Sequence, residues 1–210
     1  MLENLIYLIP ICIVAYFIGN INIAILTTRK SRDIRKEASG NPGASNMLRT
    51  FGFKRAIVVF LFDVSKGVLP VLIAGLLYGL NAESGRIAMY AAGLSVVLGH
   101  CFPVLFRFKG GKGVATMVGV FLVINPLLAL AAFGIGLLYV FIFDYAAVSS
   151  LLFINIVVLW QLFHDSHIVI HGMLLGFYFL VMFTHRTNIA RILMGQENKA
   201  GLLKKLKKKK

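Results

Sequence analysis

The sequence predicts an all-α, polytopic membrane protein of about seven transmembrane helices, with its N-terminus outside and its C-terminus in the cytoplasm. Of 210 residues, 59% are hydrophobic and 14% charged, an apolar share above the roughly 45–50% of a soluble domain; mean hydropathy is +0.84. The apolar residues fall in runs of about 20, the length that crosses a bilayer as a helix. Charge is lopsided too, with 22 Lys and Arg against 8 Asp and Glu, and the bases gather in a few places. Together these properties exclude a disordered chain, a soluble nucleic-acid module and a disulfide scaffold. Cys12 and Cys101 sit inside apolar stretches and read as free, buried thiols.

The runs cover residues 4–26, 56–80, 87–106, 114–143, 146–163 and 168–184. The first begins with Glu3 rather than a basic segment and has no small-x-small site after it, so it reads as a permanent span and not a signal peptide. Every Lys and Arg except Lys66 and Arg86 lies in one of three clusters, at 29–55, at 107–112 and from 186 through the tail. By the positive-inside rule all three are cytoplasmic, which puts the N-terminus and the linker 81–86 outside. Lys112 and Arg186 then share a side, so an even number of crossings separates them. Three runs are visible there, and the longest, 114–143, carries Asn125-Pro126 near its middle, where proline disfavours a continuous helix. Splitting that run gives seven spans; the alternative is one long kinked helix with 146–163 failing to cross. Residues 1–203 form a single helical domain with cytoplasmic motif regions at 29–55, 107–116 and 185–199. Residues 204–210 form a flexible lysine-rich tail, attracted to anionic membrane lipid rather than to nucleic acid.

Residues suited to chemistry coincide with the basic clusters. The first holds Ser39-Gly40-Asn41-Pro42-Gly43-Ala44-Ser45-Asn46-Met47-Leu48-Arg49, either a plain connecting turn or a set of Ser and Asn groups and backbone N–H donors beside an arginine able to fork an oxyanion. The second, Phe108-Lys109-Gly110-Gly111-Lys112-Gly113-Val114-Ala115-Thr116, puts glycines and lysines at a helix start, where backbone N–H groups and positive potential suit a phosphate. It is not a nucleotide P-loop, which would need Gly at Phe106 and Ser or Thr at Gly113. In the third, His185, Asn188 and Arg191 share a face if the last span continues as one helix, with Glu197 just beyond. Asp63 and Lys66, one turn apart inside the second span, read as a structural ion pair supporting the first loop. His164, Asp165, His167 and His171 belong to the outer linker, apart from the motifs, and no metal is expected there. There is no G-x-S-x-G or H-E-x-x-H pattern.

In Ser-Gly-Asn-Pro-Gly-Ala-x-Asn-x-x-Arg (39–49), Asp-x-x-Lys-Gly (63–67), Gly-His-x-Phe-Pro (99–103), Phe-Lys-Gly-Gly-Lys-Gly-Val-Ala-Thr (108–116) and His-Arg-x-Asn-Ile-x-Arg (185–191), the chain closely resembles the bacterial acyl-phosphate:glycerol-3-phosphate acyltransferases. The resemblance runs from Gly19 to about Lys199. It implies a seven-span enzyme of the bacterial cytoplasmic membrane with its active site facing the cytoplasm. Its reaction moves a fatty acyl group from acyl phosphate to the 1-hydroxyl of sn-glycerol 3-phosphate, the entry step of phospholipid synthesis, and no cofactor is implied. Acyl phosphate already carries a good leaving group, so the work is positioning and oxyanion stabilisation rather than covalent catalysis. The resemblance assigns Ser39, Arg49, Lys112, His185 and Asn188 to catalysis. It assigns Asn41, Gly110, Gly111, Gly113 and Ser150 to substrate and phosphate binding, and Asp63, Lys66 and Glu197 to structural support. Departures are Ala38 where the family usually has Gly, Ser45 for Thr, and, in the turn that usually reads Arg-Tyr-Val-Ser-Leu-x-Ser, Asp144 for Arg and Ala147 for the first Ser.

A membrane transporter or lipid-handling protein that binds glycerol phosphate without chemistry is the alternative, and polar groups lining a path across the membrane would favour it. Here they concentrate at one face. The oligomeric state stays open, a monomer included.

Overall fold

Asparagine and proline set the helix boundaries of the computed structural model, which describes residues 2–30 and 32–201, with no side chains for 2–6; the lysines at 204–210 lie outside the described residues. Helix α1 (Leu2–Asn20) stops where the Asn20 amide donates back to the Tyr16 carbonyl at 2.7 Å, and Asn22 restarts the chain as α2 (Ile23–Thr28) by accepting from the Ile25 N–H at 3.0 Å. The run predicted at 4–26 is therefore broken at residues 21–22. Next comes α3 (Ala44–Phe51), joined through Gly52, with φ +90°, to α4 (Phe53–Tyr78). Then follow α5 (Glu83–Cys101), α6 (Val114–Ile124) and α7 (Pro126–Phe143). The expected break at Asn125-Pro126 is present: Pro126 opens α7 and the Asn125 side chain accepts from the Leu128 N–H at 3.2 Å. The last elements are α8 (Ala146–His164), α9 (Ile168–Thr184) and α10 (Arg186–Leu193), and α10 is bent 61° from α9.

Five of the described helical segments are long and apolar enough to cross a membrane, or six if α9 and α10 count as one bent span. Length alone thus falls short of seven. The shortfall is α6, whose 11 residues rise only about 16 Å. It is shielded by protein, since residues from Thr116 to Phe121 are buried.

Helices in lipid gain little from apolar burial alone and associate where their backbones approach closely. Gly19 of α1 and Gly99 of α5 supply one such contact. A Cβ at Gly19 would collide with the Val96 carbonyl, and one at Gly99 with the Tyr16 carbonyl. Gly67 of α4 and Gly119 of α6 supply the other, against the carbonyls of Thr116 and Val64. Between these contacts the core packs Val71, Tyr90, Phe121, Ile154, Leu174 and Phe177, with Phe121 edge-on to Tyr90 at 6.4 Å and tilted against Phe177 at 5.4 Å. At the far end of α5 an Arg86–Asp165 ion pair and a His167–Glu83 contact of 3.1 Å tie the start of α5 to the α8–α9 linker. His171 reaches the Asp165 carbonyl and His164 the Trp160 carbonyl. Cys101 is buried, but Cys12 is half-buried on the face of α1, contrary to the expectation for both.

Gly67→Ala forces its new methyl into backbone and should cost about 1–3 kcal/mol, read as a lower Tm in detergent. Gly134→Ala, whose Cβ would meet nothing within 4 Å, should not lower it.

Candidate active site

The first motif is folded by two buried asparagines. Asn46 donates to the carbonyls of Glu37 at 2.9 Å and Ile34 at 3.3 Å and accepts from the Ser39 N–H at 3.3 Å, closing residues 34–46 into a loop. Asn22, besides capping α2, donates to the Pro42 carbonyl at 3.2 Å and so anchors the loop to the break in α1–α2. The loop needs two positive-φ residues, Gly40 at +70° and Ala38 at +45°. At residue 38 the departure from the family's Gly falls on a backbone conformation that suits glycine.

Beneath the loop lies the buried pair Asp63–Lys66. The ammonium stands 2.8 Å from the Asp63 carboxylate and donates to the carbonyls of Ile21 at 2.9 Å and Gly19 at 3.2 Å, both at the α1–α2 break. The His100 ring approaches the same carboxylate at 3.5 Å.

In the second motif the glycines divide their roles. The N–H groups of Gly110 and Gly111 donate to the carbonyls of Cys101, at 3.2 Å, and His100, at 3.1 Å. A Cβ at Gly111 would collide with the His100 ring. In the structure both glycines, expected to present their amides to a phosphate, complete the end of α5, and neither lines the cavity described below. Gly113, at φ +85°, turns the chain into α6 with Lys112, Val114 and Ala115 on the cavity wall. The helix N-terminus at the cavity wall, with the positive end of its dipole, is that of α6.

The third motif is not one continuous helix. The chain turns at His185, so that His185, Asn188 and Arg191 face the same cavity across a bend rather than along a straight helical face. The His185 Nδ1 donates to the Val181 carbonyl at 3.0 Å, which leaves Nε2 as the basic nitrogen of a neutral ring. Lys112 Nζ donates to the Asn188 carboxamide oxygen, and the Asn188 amide donates to Glu197 at 2.9 Å. Arg191 Nε donates to the other Glu197 oxygen at 3.2 Å. One buried carboxylate thus orients an amide and a guanidinium, and through the amide a lysine.

These three regions meet at a cavity of about 530 Å³ whose wall includes Ser39, Asn41, Arg49, Lys112, Gly113, Ser150, His185 and Asn188. Of the other sequence-predicted residues, Asp63, Lys66 and Glu197 stand behind the wall. Away from this polar end the cavity is apolar, enclosed by α4, α6, α7 and α8. Burial, then the neighbouring Arg191 and Arg49, push the Lys112 ammonium down to about 8. Burial likewise lowers the Arg49 guanidinium from its ordinary value. A cavity that disfavours its own cations is electrostatically complementary to a bound anion.

Three wall elements carry no role in the sequence reading. His100 lines the cavity, and its signal was a histidine at the end of an apolar run beside Gly99. Arg191 adds a third cation. The segment after α10 folds back over the α7–α8 turn, with the Ala200 N–H donating to the Asp144 carbonyl at 2.6 Å, the Gly201 N–H to the Asp144 carboxylate at 3.2 Å and the Lys199 ammonium to the Phe143 carbonyl at 3.0 Å. Arg49 Nε donates in turn to the Lys199 carbonyl at 3.1 Å. An acid at residue 144 accepts this strap's amide, which an arginine could not do.

The model of the family described as "Glycerol-3-phosphate acyltransferase" matches residues 9–195. The chain belongs to that family. This glycerol-3-phosphate acyltransferase family member is 42% identical over 199 residues to the glycerol-3-phosphate acyltransferase of Thermoanaerobacter pseudethanolicus, covering 93% of this chain and 96% of the relative. It is 37% identical to that of Alkaliphilus metalliredigens, covering 91% and 95%. Among solved structures it is similar to PlsY, an integral membrane glycerol 3-phosphate acyltransferase, in its glycerol 3-phosphate form, with a TM-score of 0.86, 34% identity and coverage of 95% and 98%. The lysophosphatidic acid form of PlsY gives a TM-score of 0.81 at 32% identity, covering 92% and 95%. The chain is accordingly an acyltransferase of the integral-membrane kind.

Ala38→Gly should stabilise the protein by about 1 kcal/mol, the order of the cost of a left-handed conformation in a residue with a Cβ. The check is a raised Tm in detergent.

Proposed function

We propose that the protein transfers a fatty acyl group from acyl phosphate to the 1-hydroxyl of sn-glycerol 3-phosphate, giving 1-acyl-glycerol 3-phosphate and phosphate. The observation that carries this reading is one cavity with two chemistries: a cationic, amide-rich end built by three separate motifs, continuous with an apolar limb. Two phosphorylated head groups suit the first and an acyl chain the second.

In the proposed reaction Arg49 and Lys112 hold the substrate phosphates, helped by the N-terminal amides of α6. Ser39, Asn41 and Ser150 hydrogen-bond the head groups, and Asn188 fixes the Lys112 ammonium. The glycerol hydroxyl oxygen attacks the acyl carbonyl carbon; a C–O bond to glycerol forms as the C–O bond to phosphate breaks, and the leaving group departs as phosphate. The hydroxyl proton passes to His185 Nε2, the basic nitrogen left by the bond to Val181. Cations and backbone donors around the carbonyl supply the electrostatic part of the rate, and holding both substrates in one cavity supplies the positional part.

The proposed topology has seven crossings, N-terminus outside, in a bacterial cytoplasmic membrane with the cavity facing the cytoplasm. It is supported by the basic clusters and by the placement of Asp144 beside Ala200. That placement returns the end of α7 to the motif end, so the short α6 and α7 form one hairpin and α8 with α9 another. Residues 1–203 then act as one helical domain, with 204–210 as a tail toward anionic lipid.

Purified protein given acyl phosphate and glycerol 3-phosphate should release phosphate and form lysophosphatidic acid. Ser39→Ala, Arg49→Ala and Lys112→Ala should each lower kcat/KM by about 100-fold or more, in the range of lost transition-state contacts, with Tm little changed. Near-normal turnover in all three would overturn the assignment. With its ordinary value lowered to about 8, Lys112 is charged below that pH and neutral above it. The affinity of the free enzyme for glycerol 3-phosphate should therefore fall as pH rises through about 8, and Lys112→Arg, which stays charged, should remove that fall in a binding titration.

A further inference from the structure

The apolar limb of the cavity has a definite end. On α4 its deepest wall residue is Phe60 and on α7 it is Phe133, and these two rings stack at 5.5 Å with 19° between their planes. Their helices make their main contacts elsewhere, α4 with α1, α3, α5 and α6, and α7 with α6 and α8. The ring pair is therefore a side-chain bridge across a gap between helices that do not otherwise form a seam. No bypass exists toward α6, because one turn beyond Phe60 the Val64 carbonyl is already against Gly119. Val118 of α6 and the buried Phe153 of α8 also line the limb.

We propose that the Phe60–Phe133 stack is the chain-length stop of the acyl pocket, a specificity determinant of the reaction. This rests on the acyl-transfer reading above. From Phe53 to Phe60 on α4, and from Phe141 to Phe133 on α7, the limb runs about 10–12 Å at the helical rise of 1.5 Å per residue. An extended chain advances about 1.2 Å per single bond, as three backbone bonds do in a stretched peptide, so the stop is met after roughly 8–10 bonds. Up to that length each added methylene lies inside the pocket at little cost, because the lipid it leaves is as apolar as the limb. A longer chain has to part the rings or turn out of the limb, which lowers kcat/KM for that donor.

The test uses the full chain in nanodiscs with glycerol 3-phosphate and octanoyl, decanoyl, dodecanoyl, tetradecanoyl or hexadecanoyl phosphate. Wild type is compared with Phe60→Leu, Phe133→Leu and Phe133→Ala; the leucine variants keep an apolar side chain should alanine unfold the protein. The ratio of variant to wild-type kcat/KM at each chain length cancels the partitioning of the donor into lipid. The expected result is a ratio flat through decanoyl phosphate that climbs roughly tenfold over the longer donors, the order of a relieved overpacking cost. A ratio independent of chain length in all three variants would overturn the stop. If wild type makes no lysophosphatidic acid from any donor, the acyl-transfer reading itself fails, a separate and recognisable outcome.

Discussion

A lysine ammonium buried in the apolar interior dictates much of the surrounding architecture. Lys66 cannot remain charged there without oxygen partners, and the partners it finds are one carboxylate, Asp63, and two main-chain carbonyls, Gly19 and Ile21. Main-chain carbonyls become available only where a helix is interrupted, so the charge is matched to the break between α1 and α2. At that break Asn22 caps the next helix and holds Pro42, and through Pro42 it holds the loop carrying Ser39 and Asn41. A charge below the site thus fixes the position of a polar loop above it. The His100 ring, next to the same carboxylate, packs on Gly111 and extends this support to the second motif.

The cationic end follows a related logic. Glu197 is the one carboxylate that binds both Asn188 and Arg191, and Asn188 in turn receives Lys112. Two carboxylates, Glu197 and Asp144, stand near three cations, Arg49, Lys112 and Arg191, which leaves an excess of positive charge at this end. Asp144, near the same cations, is turned to the amide of Gly201 and closes the C-terminal strap over the α7–α8 turn.

Much of this was legible in the sequence, and the reasons for success and failure are specific. The apolar runs mark the helices because a bilayer demands length, and Asn125-Pro126 marks a break because proline removes a helical hydrogen bond. The motif regions that meet at the cavity were legible because Gly, Asn, Ser, Lys and Arg stood together at the ends of spans. The interruption at residues 21–22 was not, since its cause, Lys66, lies 45 residues along the chain from Ile21. Nor could spacing show that Gly110 and Gly111 serve α5 while Gly113 opens the cavity wall, because all three have the same composition and differ only in which carbonyl lies opposite. The bend at His185 was hidden for the opposite reason: a helix-compatible pattern continues through it. Asp144 looked like a loss when compared with a family arginine, and its partner, the strap, is visible only in three dimensions.

The glycine contacts between α1 and α5 and between α4 and α6 have a mechanical consequence. Backbone pressed on backbone has no rotamers to exchange, so those four helices form a seam that cannot loosen by side-chain rearrangement. Among the described residues α7 and α8 have no such contact with them: α7 packs on α8 and α6, α8 on α7 and α9, and α7 meets α4 through a pair of aromatic rings. The cavity is therefore walled on one side by backbone fitted to backbone and on the other by helices that meet that frame through side chains, so only the second wall can be reshaped by changing a side chain.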